Sequence, residues 1–289
     1  MEIEEQIGDP GFIPVSHVQA EAILERVPTP DDPPWNSLEA IGLWIVSVLL
    51  IIIVPAIFLL PYLASLDPPI TDAQQVVEFA KNDPTSIFLQ IFSILPAHLL
   101  TLALAWMIVT RGRRYSFRQT LGWERGGFRW WHYCVILIAF MVVAAGVTVY
   151  FPEQENELLR ILKSSRSVVF IVAFVATFTA PIVEEVVYRG VIYSAFQRKL
   201  GIHAAFIFTT LLFAVVHVPQ YYPSYSTIFL LFLLSLTLTS IRVKTGNLFP
   251  CIVLHTVFNG LQSVLLILEP YLNKVENPEP AASLFRLLQ

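Results

Sequence analysis

Seven apolar stretches dominate the 289-residue chain, over about 40–64, 84–110, 130–151, 167–199, 202–218, 224–241 and 247–268. A bilayer core takes ~20 apolar residues of helix at 1.5 Å each, and a helix is the simplest way for a span to satisfy its own backbone. The first three stretches meet that length without a formally charged side chain. In the fourth, seventeen uncharged residues run into Glu184-Glu185, and a helical pattern continues to Lys199. The fifth and sixth are short, which suits tilted or enclosed helices. Pro55, Pro61, Pro96 and Pro181 fall inside stretches, where membrane helices tolerate them. The expected fold is all-α, a polytopic transmembrane bundle of about seven spans.

Only 14% of the chain is charged and 55% is hydrophobic. A soluble domain carries about 25% charge, so a water-facing globule is excluded. Cys134 and Cys251 lie in separate apolar stretches and give neither a disulfide framework nor a CxxC ligand pair. No nucleic-acid partner is expected; the lipid bilayer is.

The net charge of −4 conceals a division: residues 1–39 hold nine acids against Arg26 alone. The segment lacks the basic and apolar regions of a signal peptide. It ends in Pro28, Pro30, Pro33 and Pro34, a composition expected to remain a solvated, disordered tail. Orientation follows from Lys and Arg. The loop from Arg111 to Arg129 carries six arginines; alternation adds Arg26, Arg198, Lys199, Arg242 and Lys244 to that face, eleven in all, against six on the other. The expectation is an integral membrane protein of a bacterial inner membrane, with a cytoplasmic N-terminus and an external C-terminus.

Ionisable groups within a span cost ~2.5–3.5 kcal/mol on insertion scales and are functional candidates by default. Here they are His98, Glu184, Glu185, Arg189, His217 and His255, with Asn259 as a strong neutral group. Glu185 and Arg189, four apart, share a helix face and can pair, while Glu184 points ~100° away. Pro181 removes the hydrogen bond to the Thr177 carbonyl and is expected to kink the helix. If a hairpin turns at Leu200-Gly201, Glu184 and His217 both lie ~24 Å from it and can meet. His255 and Asn259, again four apart, form the opposite wall. His98 has no partner at helical spacing and is read as structural; His17, His132 and His203 carry no signal.

Glu184-Glu185-x-x-x-Arg189, Phe213-x-x-x-His217 and His255-x-x-x-Asn259, in that order on successive apolar helices, resemble the CPBP family. These are the CAAX-protease and bacteriocin-processing intramembrane proteases, of the Ras-converting-enzyme type. The resemblance covers roughly residues 167–268. It implies hydrolysis of a peptide bond in a membrane-associated, CAAX-like or lipidated substrate, within a conical cavity open to the cytoplasm and to lipid. Glu184 with His217 would activate water, His255 and Asn259 would stabilise the oxyanion, and Arg189 would orient Glu185. The chemistry agrees, since amide hydrolysis needs a base for water and donors where negative charge develops.

The implied organisation is an acidic tail (1–39), three N-terminal helices (40–151), a catalytic core on the last four helices (152–268) and a C-terminal tail (269–289). No cofactor is favoured. Zinc held by His217, His255 and Glu184 is the rival, disfavoured because Asn is a poor zinc ligand and no HExxH occurs. A non-catalytic scaffold or immunity protein, or a proton-relaying transporter, are the readings from other classes; the absence of inverted repeats weakens the last.

Overall fold

The computed structural model describes residues 27–68 and 70–276, so the expected tails at 1–26 and 277–289 lie outside the described residues. Among the described residues the protein is an all-α bundle with seven helices of membrane-crossing length and composition. Each apolar stretch of the sequence became one of them.

Helix α1 (Ser37–Ala64) starts at a capping box. The Asn36 side chain accepts from the Leu38 and Glu39 amides, and the Glu39 carboxylate accepts from the Asn36 amide at 2.8 Å. Asp72 caps the short amphipathic helix α2 (Ala73–Asn82). The second span is two helices, α3 (Pro84–Phe92) and α4 (Ile94–Thr110), broken at Ser93, whose hydroxyl donates to the Gln90 carbonyl at 2.6 Å. A short α5 (Phe117–Leu121) precedes α6 (Trp130–Tyr150). A second short amphipathic helix, α7 (Glu157–Ser164), leads into α8 (Arg166–Leu200). The bundle closes with α9 (Ile202–Tyr221), α10 (Tyr225–Thr245) and α11 (Phe249–Glu276). The apolar stretches gave no hint of α2 and α7, which lie between spans.

Helix α8 is the axis of the bundle. Its Val183, Val186, Val191 and Ile192 pack with Leu43 of α1, Ala105 and Val109 of α4, Phe213 of α9 and Ile252 of α11. Gly190 permits the closest approach: a Cβ there would meet Leu121 at 3.1 Å and Leu248 at 3.3 Å. A second cluster joins Phe140 of α6 to Leu238 of α10 and Phe258 of α11. Outward-facing Ile52, Leu99, Val142 and Val215 are left exposed, as lipid contact requires.

Two turns of α8 widen to π-helix, at Val175–Thr179 and Val186–Ile192. The first ends just before Pro181, so the backbone bond that the proline cannot make is absorbed in a π-bulge. The second contains Arg189.

One expectation is corrected. The proline-rich end of the supposed solvated tail is docked on the arginine-rich end of the bundle. Trp35 is fully buried and donates its indole N–H to the Val191 carbonyl at 2.9 Å. Arg242 binds Asp31 and the Pro30 carbonyl, Arg198 the Pro33 and Trp35 carbonyls, and Arg111 the Pro34 carbonyl and Glu39. Prolines keep this segment extended, and an extended segment offers carbonyls that guanidinium groups can take.

Candidate active site

The polar residues of α8 divide as their spacing predicts. Glu185 and Arg189 turn inward and are fully buried, with Arg189 Nη1 donating to Glu185 Oε1 at 3.0 Å. Arg189 also donates to the Ser235 hydroxyl (2.8 Å) and carbonyl (3.1 Å) and to Thr239 Oγ1 (3.3 Å), and stacks over the Phe213 ring at 4.4 Å. A buried guanidinium needs such a full set of acceptors, because each unmet N–H costs as a desolvated donor.

Glu184 turns into a more open space, its side chain 22% exposed. It faces two imidazoles. His217 Nε2 lies 3.9 Å from Glu184 Oε1, and His255 Nε2 lies 3.8 Å from Glu184 Oε2. The other ring nitrogens are committed: His217 Nδ1 donates to the Phe213 carbonyl at 2.7 Å, and His255 Nδ1 to Glu185 Oε1 at 2.8 Å. A carbonyl and a carboxylate only accept, which assigns the hydrogen to Nδ1 in both rings and turns both Nε2 atoms towards Glu184. The separations are too long for direct hydrogen bonds and short enough for one oxygen between the partners.

The structure therefore brings Glu184, Glu185, Arg189, Phe213, His217 and His255 into one constellation. Phe213 holds it laterally, its ring 4.7 Å from His217 and 6.1 Å from His255. Asn259 is placed differently: its amide donates to the Ala176 carbonyl at 2.9 Å, in the first π-helical turn. That tie uses one amide hydrogen and leaves the other for a further acceptor.

The sequence reads His98 as structural, and its partner was not legible there. It is buried on α4, Nδ1 lies 2.8 Å from Thr179 Oγ1, and it is close enough to Glu184 to interact with it electrostatically. Thr179 gives its own hydrogen to the Val175 carbonyl at 3.2 Å, so His98 is the donor and its Nε2 keeps a lone pair. Its partner is 81 residues away, beyond any helical spacing. Ser235 and Thr239, the acceptors of Arg189, had a signal that could be read: two hydroxyl residues four apart in an apolar span.

Residues 166–261 match the family model of Rce1-like type II CAAX prenyl endopeptidases. This part of the chain is similar to that family. No curated protein and no solved structure matches the chain. The Rce1-like segment is about a third of the chain, begins at the first residue of α8 and includes every residue of the constellation. The similarity of this segment points to a membrane protease, and the seven apolar helices to a bilayer setting.

Zinc does not fit the donors as they stand. The edge of a tetrahedral zinc site with ~2.0–2.2 Å bonds is about 3.3–3.5 Å. Here the two imidazoles face opposite oxygens of one carboxylate at 3.9 and 3.8 Å. Among the described residues no three His, Cys, Asp or Glu side chains converge closely enough to hold a metal ion.

Proposed function

We propose that the protein is an intramembrane endopeptidase in which Glu184 and His217 activate water for attack on a peptide bond. The observation that carries this reading is Glu184 itself, an intramembrane carboxylate whose two oxygens each face an imidazole Nε2 at arm's length. Glu185 Oε1 accepts from both Arg189 and His255, so the ion pair that stabilises the bundle forms without Glu184. A non-catalytic scaffold has no need of the second acid.

In the proposed reaction a water molecule sits between Glu184 and His217 Nε2. Glu184 takes its proton, and the hydroxide adds to the carbonyl carbon. Negative charge then develops on the carbonyl oxygen, where His255 Nε2–H and the second Asn259 amide hydrogen donate. For that step His255 carries both ring hydrogens, a form that Glu185 stabilises through Nδ1. The C–N bond breaks as the proton held by Glu184 passes to the leaving amine, giving a free carboxylate and a free amine.

The substrate class is a membrane-associated polypeptide, to which lipidated CAAX-type tails belong, and the host membrane a bacterial inner membrane with the acidic N-terminus in the cytoplasm. Comparing membrane proteomes of cells carrying the parent protein or Glu184→Gln tests the activity. An uncleaved precursor that accumulates only with Glu184→Gln supports it; identical proteomes, together with no peptide cleavage by the purified parent, remove it.

A further inference from the structure

We propose that Thr177 and Ser263 are positioning residues for Asn259, acting through the first π-helical turn of α8. The role rests on the endopeptidase reading, in which Asn259 donates to the oxyanion; the contacts behind it stand without that reading.

Asn259 has to be held in one orientation to serve as a donor. A side-chain amide turns easily about its last torsion, and a half-turn exchanges its donor end for its acceptor end. Asn259 is only half-buried, so packing alone does not fix it. The fixing partner is the Ala176 carbonyl, which accepts from Asn259 Nδ2 at 2.9 Å. A carbonyl only accepts, so the amino end of the amide faces it.

A carbonyl inside a helix is normally occupied, and the register shows why this one is open. The Ala180 amide donates to the Val175 carbonyl, five residues back, as a π-turn requires. The next amide in that register, at 181, would serve Ala176, and residue 181 is a proline without an N–H. In an unbroken α-helix the Ala180 amide would close on Ala176 instead. The π-turn and Pro181 together therefore present a carbonyl to the neighbouring helix, and Asn259 takes it.

The turn needs outside support, since π-helix is the rarer register and returns to α-helix unless something holds it. On one side Thr179 donates to the Val175 carbonyl and accepts from His98 of α4. On the other the support comes from α11. Thr177 Oγ1 donates to Ser263 Oγ at 2.9 Å, and Ser263 Oγ donates to the Ala173 carbonyl at 3.4 Å. This hydroxyl relay ties the middle of the turn to the helix just before it.

Ser263 and Asn259 are four apart on α11, so both face the turn. Gly260 lies between them, and a Cβ there would meet the Thr177 methyl at 3.4 Å, so the two helices meet with no side chain intervening. Ser263 is buried and lies just past the family-matched segment, 166–261. Cutting the relay frees the turn to re-register, which withdraws the Ala176 carbonyl and leaves the Asn259 amide unfixed.

Hydroxyl pairs between membrane helices commonly act only as adhesive. An adhesive pair lowers stability when it is cut and leaves the reaction alone. Cleavage of a quenched fluorogenic peptide ending in a prenylated cysteine, by the full-length protein in detergent, separates the two roles. Ser263→Ala and Thr177→Val each cut the relay, whereas Thr177→Ser keeps it. The first two should lower kcat roughly 10–100-fold with KM unchanged, because only the developing oxyanion feels Asn259. Thr177→Ser should retain the parent's kcat. In an Asn259→Ala background, itself slower by ~10²–10³-fold, Ser263→Ala should cost nothing further, because no amide remains to be positioned.

Equal fold losses in both backgrounds, a change in KM alone, or full activity in Ser263→Ala and Thr177→Val each overturns the proposal. If Ser263→Ala does not fold, Thr177→Val against Thr177→Ser, in both backgrounds, decides alone. A parent that cleaves no peptide removes the endopeptidase reading and this role with it. A parent that cleaves, and whose rate Ser263→Ala matches, removes the role only.

Discussion

The indole nitrogen of Trp35 donates to the carbonyl of Val191 at 2.9 Å, linking the N-terminal segment to the π-helical turn that carries Arg189. A π-turn leaves carbonyls outside the regular ladder, and this one is taken from outside the helix. The segment around Trp35 is therefore part of the bundle's packed core. Trp35→Phe keeps most of the ring volume and strips the carbonyl of its donor, a loss of ~1–3 kcal/mol. Trp35→Ala adds a cavity and should cost ~3–5 kcal/mol. Thermal unfolding of the detergent-solubilised protein should rank parent, Trp35→Phe and Trp35→Ala in that order; equal midpoints would mean the segment is not docked.

Glu184 and Glu185 should answer mutation in opposite ways. Glu184→Gln keeps the shape and removes the base, so turnover should fall ~10²–10⁴-fold with the unfolding midpoint unchanged. Arg189→Ala leaves Glu185 buried beside an empty site and should destabilise by ~3–5 kcal/mol. Arg189→Lys should not restore it, since one ammonium cannot serve Glu185, Ser235 and Thr239 in the same plane. A peptide-cleavage assay and a melting curve on the same preparations separate the two effects; a stable Arg189→Ala would refute the assignment.

The contrast between these two acids was legible because both readings are local. Glu185 and Arg189 share a helix, and a four-residue spacing is visible in any sequence. Glu184 and His217 were legible through one assumption, a hairpin at Gly201, which matched their depths. The spans were legible because a lipid-facing helix has to be apolar over its whole length. His98 was not, since its partner Thr179 belongs to another helix. Nor was the docked strap, because proline-rich acidic composition describes a solvated linker equally well until Arg111, Arg198 and Arg242 are brought to its carbonyls. The π-turns have no sequence period to betray them.

His98 should tune the site without being essential to it. His98→Gln retains a donor for Thr179 and cannot titrate. Cleavage should persist with an altered pH profile, while His217→Ala and His255→Ala should lose activity at every pH. An unchanged profile in His98→Gln would leave His98 a packing residue.

The second short amphipathic helix has a pH dependence of its own. Glu157 is held below the usual carboxylate range chiefly by the hydrogen bond from Arg160, which also reaches the Lys81 carbonyl of α2. A depressed folded pKa gives stabilisation that is present above the unfolded value, about 4.3, and is lost as pH falls through the folded value. Hydrogen exchange of the Glu157–Ser164 amides should accelerate below about pH 4. Glu157→Gln should flatten that dependence. The effect is small, because the pair is partly exposed.

Metal dependence is where the donor geometry is most exposed to test. His217 and His255 face opposite oxygens of Glu184 at 3.9 and 3.8 Å, and in the proposed mechanism water is activated by the carboxylate and imidazole directly. Purified protein should then carry substoichiometric zinc, and strong chelators should leave cleavage of a fluorogenic peptide intact. Added zinc should not rescue His255→Ala, because what that variant lacks is a hydrogen-bond donor at the oxyanion and a partner for Glu185. A zinc enzyme differs on each count: the metal would supply the acidified water, ligand loss would empty the site, and chelation would abolish turnover until metal was returned. Elemental analysis beside chelator titration reads both quantities on one sample. Near-equimolar zinc with activity lost to chelator and restored by zinc would require the two imidazoles to swing onto a common point, and would recast Glu184, His217 and His255 as ligands.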